Sequence, residues 1–239
     1  MDEARGLADR LDSLRERIAR TCTRSGRAPE SVQLLPVTKG FPAESVRQAM
    51  KLGLRDFGEN RVQEAEEKIA DVIPRPRWHL VGHLQRNKAR RAVELFDVIH
   101  SIDSVQLADE VSRRGVGMAK RAACLVEVNT SGDPNKFGVP PEDALGLLRA
   151  VREMGGIELR GLMAIGPLGG GVEGARRAFQ RLAAIRREAQ LAGILAEDSD
   201  LSMGMSDDFE IAIEEGATIV RVGTALFGAR PSERGSAPA

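Results

Sequence analysis

Near the start of the chain Leu7, Leu11, Leu14 and Ile18 recur every three or four residues among charged neighbours, a spacing that lines one face of a helix. The pattern predicts an amphipathic helix over about residues 2–25. Gly26 stops it, since a residue without a Cβ turns out of helical geometry at little cost. Beyond it, short apolar runs alternate with amphipathic stretches. Strands are expected at 33–39, 55–58, 78–82, 97–102, 123–129, 157–163, 199–203 and 218–223, with helices at 43–52, 60–69, 85–95, 104–114, 141–154, 174–192 and 207–215. Strands separated by helices argue for parallel pairing, because parallel neighbours need a long crossover. Eight strands within 239 residues favour a single closed (β/α)8 TIM barrel with an extra N-terminal helix over an open doubly wound sheet. No linker or composition break marks a second domain, so residues 1–239 read as one domain. Gly169-Gly170-Gly171 reads as a flexible loop and residues 231–239 as a disordered tail.

In such a barrel function gathers on the loops after the strand C-termini, and the informative residues fall there. Lys39 ends the apolar run from Leu34, where the chain leaves the core. A partly desolvated amine at that place is a usable nucleophile toward aldehydes. Strand seven delivers Ser202-Met203-Gly204-Met205-Ser206, and strand eight delivers Val220-Arg221-Val222-Gly223-Thr224. Gly223 lets backbone approach an anion closely, while Thr224 and Ser206 add hydroxyls, so a phosphate between the last two loops is expected. Ser206 equally suits capping of the helix beginning Asp207-Asp208, and those aspartates bring negative charge toward the anion. Arg221 interrupts a strand expected to be buried on both faces. It needs either an ion-pair partner, such as Glu127 or Glu59, or a ligand acceptor. Lysine, phosphate cradle and inward arginine at one mouth suggest a phosphorylated aldehyde bound as a Schiff base, and pyridoxal phosphate fits that description.

Composition narrows the alternatives. Basic and acidic residues number 35 each, so no net field draws the chain to nucleic acid or an anionic membrane. Aromatic residues at 3% offer little for base stacking. Cys22 and Cys124 lie far apart without a framework spacing, which suits a reducing compartment. With no apolar run of membrane-spanning length and no signal-peptide pattern at residues 1–20, a cytoplasmic location is expected. His79 and His83 stand four apart, but across a strand and its exit and without a third ligand, so no metal is expected.

Longer motifs go further. Val37-Thr38-Lys39, Phe57 to Glu64, Trp78 to Lys88, Ile99 to Asp103, Leu201 to Asp208 and Val220 to Gly228 resemble, in order, the signature of the pyridoxal phosphate homeostasis proteins, single-domain relatives of the alanine racemase N-terminal barrel. The similarity runs from about residue 5 to residue 230. It implies that Lys39 forms the internal aldimine and that Asn60 and His79 line the cofactor pocket, with Met203 also among the cofactor-binding positions. It further implies that Ser206, Gly223 and Thr224 hold the phosphate and that Arg221 faces the pyridine nitrogen. An arginine only donates, so the ring nitrogen stays an unprotonated acceptor and the ring is a poor electron sink. The chain departs from the family where Gly40-Phe41-Pro42 follows the lysine, in place of a second lysine and a proline. Lys136 matches a family lysine on the loop after strand five.

The resemblance implies a non-enzymatic carrier that limits free cofactor and passes it to pyridoxal phosphate-dependent apo-enzymes. The alternative is an amino-acid racemase using the same cofactor. Racemases of this fold pair the lysine with a tyrosine from a second domain, whereas this chain contains no tyrosine. A second base would then have to be His79 or His100. No self-association stripe stands out, and a monomer is expected.

Overall fold

The computed structural model describes residues 2–167 and 171–229, with the side chains of residues 2–5 left aside. The expected tail at 231–239, and Gly169 and Gly170 of the expected loop, lie outside the described residues. Eight strands form one parallel sheet: β1 (Gln33–Pro36), β2 (Asp56–Glu59), β3 (Arg77–Leu80), β4 (Val98–Ile102), β5 (Ala122–Glu127), β6 (Ile157–Met163), β7 (Asp200–Ser202) and β8 (Ile219–Val222). Their order β1-β8-β7-β6-β5-β4-β3-β2 closes through a bridge between Val37 and Gly58, where the Thr38 amide donates to the Gly58 carbonyl at 2.9 Å. The barrel read from the alternating pattern is therefore present.

The helices are α1 (Asp2–Arg24), α2 (Ala43–Lys51), α3 (Val62–Asp71), α4 (Ala89–Leu95), α5 (Val105–Gly117), α6 (Ala144–Arg152), α7 (Gly171–Leu191), α8 (Phe209–Glu214) and α9 (Thr224–Phe227). Gly171, expected in a loop, opens α7 instead. Leu7, Leu11, Leu14 and Ile18 of α1 are buried and pack the helix against α8 and α9. Arg17 lies over the Phe209 ring at 4.5 Å, and the Arg10 side chain donates to the Leu226 carbonyl at 2.6 Å. The chain leaves α1 through Gly26 at φ 67°, as its sequence position suggests.

Side chains of a strand alternate between the lumen and the outer layer that meets the helices. The outer layer joins the helices in one continuous apolar core. The lumen is different in character. It holds two small apolar clusters, Leu35–Val81–Ile219 and Val98–Leu125–Met163. Polar groups are buried in it too, among them His79, His100, Ser202, Glu127 and Arg221. Lumen polarity of this kind is costly unless each group finds a partner.

Candidate ligand site at the barrel mouth

At the C-terminal ends of the strands a cavity of about 270 Å³ is lined by Lys39, Asn60, Ser206, Arg221, Gly223 and Thr224, with Val37, Phe41, Val81, Ile165, Met205 and Asp207 completing its wall. That volume is close to the lower end of small-ligand sites, roughly 300 Å³. Six of the eight expected binding residues are thereby brought together.

Lys39 is half-buried on the turn that follows β1. Its flanks are clamped from α3: Lys68 Nζ donates to the Thr38 carbonyl at 2.7 Å, and the Gly40 amide donates to Glu64 Oε1 at 2.6 Å. Lys68 also pairs with Glu59, whose Oε1 accepts the Thr38 hydroxyl. Burial pushes the Glu59 carboxyl above its usual range, and Lys68 opposes that push. Nothing in the hydrophobic pattern announces this clamp. The one available signal is a lysine at a buried position of a helix, nine residues beyond the Glu59 of the second strand.

Asn60 is held in place by the close approach of Gly82: a Cβ on Gly82 would stand 2.3 Å from the Asn60 carbonyl oxygen and 2.8 Å from its Cα. Any side chain at 82 would displace Asn60 from the wall. Ser206 and Thr224 face each other, with their hydroxyls 3.4 Å apart and the Ala225 amide also 3.4 Å from Ser206 Oγ. Ser206 does not cap α8. Asp208 fills that turn instead, its Oδ1 accepting the Met205 amide at 2.6 Å. Asp208 is thus turned into its own loop, where burial raises its carboxyl pKa, while Asp207 lies exposed on the cavity wall. The two hydroxyls stay available to a phosphate.

Arg221 is 4% exposed and has no carboxylate at contact distance among the described residues. Its Nη1 donates to the Ser202 carbonyl at 2.7 Å and to Ser202 Oγ at 2.8 Å, and its Nη2 donates to the Ala164 carbonyl at 2.8 Å. A guanidinium carries five N–H donors. The Nε proton and one Nη2 proton are left over among the described residues. Burial pulls Arg221 down to about 10, against the attraction of Glu127 and Asp208, so it remains charged at neutral pH. Of the two ion-pair partners expected from sequence, Glu59 is engaged by Lys68, and Glu127 acts on Arg221 only at a distance. Burial pushes the Glu127 carboxyl up to about 7, and its Oε2 has no hydrogen-bond partner among the described residues.

His79 and Met203 do not line the cavity. His79 sits one lumen layer below Val81, since residues two apart on a strand share a face about 6.6 Å apart. Its ring meets His100 and Asp56. Met203 follows the inward Ser202 and so points outward into the core between sheet and helices. His83 pairs with Asp103 at 3.4 Å and stacks on Phe137 at 3.7 Å, apart from the partners of His79. Among the described residues no three His, Cys, Asp or Glu side chains are grouped to hold a metal. Lys136 donates to the Gly166 carbonyl at 2.7 Å. Cys22 and Cys124 are both free and buried. No helix among the described residues is long and apolar enough to cross a membrane.

The donor set fits pyridoxal phosphate: one amine at the strand exit, two hydroxyls beside a glycine, and unspent guanidinium protons between them. Comparison with known proteins agrees with that fit. The family described as alanine racemase, N-terminal domain, matches residues 10–231. The pyridoxal phosphate homeostasis protein of Pseudomonas aeruginosa is 44% identical over 226 residues, covering 94% of this chain and 96% of that protein. Its Escherichia coli counterpart is 38% identical, covering 94% and 97%. PipY of Synechococcus elongatus, solved with PLP bound, superposes with a TM-score of 0.81 at 40% identity, covering 93% of this chain and all of that one. An alanine racemase from Clostridium difficile shares the fold, with a TM-score of 0.75 at 17% identity and 58% of that chain covered. With its barrel, its mouth residues and these relatives in agreement, the chain belongs to the pyridoxal phosphate homeostasis proteins, within the alanine racemase N-terminal domain family.

Proposed function

We propose that this protein binds pyridoxal phosphate reversibly at the barrel mouth, covalently through Lys39, and acts as a carrier that keeps the free aldehyde low and passes it to pyridoxal phosphate-dependent apo-enzymes. The observation that carries this reading is the convergence of Lys39, Ser206, Thr224, Gly223 and the unspent protons of Arg221 on one cavity. The cofactor bound in PipY supports it. When bound, pyridoxal phosphate supplies an aldehyde that condenses with amines and a ring that can withdraw electrons.

The residues do the rest. Lys39 supplies the nucleophilic amine, and its flanking peptides are fixed by Lys68 and Glu64. Ser206 and Thr224 donate hydroxyl protons to the phosphate, and Gly223 gives it room. Arg221 can only donate, so it favours an unprotonated ring nitrogen and damps electron withdrawal. Racemisation would need a second base facing the substrate. The chain has no tyrosine, and His79 and His100 are buried against each other below the cavity. Both facts favour carriage over turnover.

Borohydride trapping followed by peptide mapping is expected to place the reduced adduct on Lys39, and an adduct on another lysine would remove the assignment. Holo-protein incubated with D- or L-alanine is expected to turn over no faster than free cofactor. Transfer to an apo-enzyme faster than passive release would establish delivery, and transfer at the passive rate would reduce the role to buffering.

A further inference from the structure

The lumen beneath Arg221 contains an unbroken row of hydrogen bonds that the mouth chemistry alone does not require. Ser202 Oγ lies 2.9 Å from His100 Nδ1, His100 Nε2 lies 2.9 Å from His79 Nδ1, and His79 Nε2 lies 3.1 Å from Asp56 Oδ1. The row starts at the guanidinium on the mouth cavity and ends at the opposite rim. There a second cavity of about 350 Å³, lined by His79, Gln33, Arg77 and Asp200 among others, opens at the N-terminal ends of the strands.

We propose that Ser202 and His100 are positioning residues for Arg221, and that His79 and Asp56 hold them in a single proton arrangement that aims the free guanidinium protons at the ligand. For the ligand, this rests on the reading given under Proposed function.

The direction of the row follows from its first member. Arg221 can only donate, so Ser202 Oγ accepts from Nη1 and must spend its own proton elsewhere. His100 Nδ1 is the acceptor within reach. A bare Nδ1 puts the proton of a neutral His100 on Nε2, which donates to His79 Nδ1. His79 in turn carries its proton on Nε2 and donates to the Asp56 carboxylate. Each donor then meets an acceptor. Burial, reinforced by His79 and Arg221, keeps the His100 pKa well below 6.5. At the far end burial works against ionisation of Asp56, yet the hydrogen bond from His79, together with Arg77, holds its carboxyl below the usual range.

The opposite arrangement fails at Ser202. If His79 Nδ1 were the donor to His100 Nε2, the His100 proton would be forced onto Nδ1. Ser202 Oγ would then receive two donors and keep a proton with no acceptor, beside the guanidinium it is meant to hold. The charged and titratable groups around the row are Asp56 and Arg77 on β2 and β3, Asp200 on β7, and Glu127 and Asp208, which act on Arg221 at a distance.

With three histidines in the chain, nitrogen NMR of the ligand-free protein can assign each ring. Near neutral pH His100 is expected to be neutral with its proton on Nε2, and a charged ring or an Nδ1 proton would overturn the proposal. The Arg221 Nε proton is expected to shift and exchange faster in Ser202→Ala, and to stay as in the wild type in Ser202→Thr and in His79→Gln. The glutamine amide can accept from His100 and donate to Asp56 but cannot take up a proton. In titrations with pyridoxal phosphate, Ser202→Ala and His79→Leu are expected to lose roughly tenfold in affinity (~1.4 kcal/mol) and to shift the bound absorption, with both conservative variants near wild type. Folded variants that all bind alike, with unchanged spectra and an unmoved Nε resonance, would reduce the row to a structural filler. If the wild type takes up no pyridoxal phosphate, the proposed function fails, and the ligand-free resonances still decide the row.

Discussion

Among the described residues two cations are buried in this barrel, and they are treated in opposite ways. Lys68 is 6% exposed and meets Glu59 directly, with Thr38 and Glu64 completing its partners. Arg221 is as deeply buried but rests on two carbonyls and a hydroxyl, with its nearest acidic influences at a distance. A charge already neutralised at contact has little left for a ligand. A charge held by dipoles keeps its field and some of its donors. The first arrangement fixes the turn that carries Lys39, and the second leaves guanidinium protons without a protein acceptor on the cavity wall. Burial alone does not separate a structural cation from a functional one, whereas the identity of the contacting acceptors does.

The contrast can be broken most forcefully at Lys68. Lys68→Met should cost about 3–5 kcal/mol in chemical denaturation, because Glu59 is left buried without its counter-charge. Adding Glu59→Leu to it should recover a large part of that loss. A second test lies at Glu127, which is held neutral in the fold up to about pH 7. Its folded pKa is raised, so stability is fully present below the unfolded carboxylate pKa and falls as pH rises toward 7. Glu127→Gln removes that fall. Melting curves should show equal stability near pH 4 and a gain on the order of 2 kcal/mol for the variant above pH 7. Arg221→Met is expected to weaken pyridoxal phosphate binding at least ~10-fold, about 1.4 kcal/mol, with a smaller stability loss than Lys68→Met. Ser206→Ala should have the smallest effect, about 1 kcal/mol of affinity for one neutral hydroxyl, read by the same titration.

The barrel was legible because its physics is periodic: apolar runs and helical stripes alternate, and each expected strand and helix has a counterpart in the structure. Boundaries were less so. The run to Lys39 is in regular register with β8 only to Pro36; the Val37 amide still donates to the Val222 carbonyl, while Val37 and Thr38 close the seam with β2. Lys39, Arg221, Gly223 and Thr224 could be placed at the mouth from strand ends alone. His79 and Met203 could not, since a motif does not state which lumen layer or which face of a strand a side chain occupies. The Lys68 clamp and the row from Asp56 to Arg221 join residues far apart in sequence, up to 102 positions between His100 and Ser202, and no local pattern foreshadows them.

The seams of the barrel are unequal. β1 and β8 are in register over four residue pairs, whereas β7 meets β8 through one pair and β1 meets β2 through one bridge. Lys39, Arg221, Gly223 and Thr224 all belong to that well-stitched pair or its immediate exits, and Asn60 and Ser206 reach it from across the thin joints. On the function proposed above, the fixed length from an aldehyde carbon to its phosphorus would be laid along this four-pair seam. The width of the slot would be set across the joints with fewest paired residues, β7–β8 and β1–β2, so length and width of one site would rest on unequal amounts of sheet pairing.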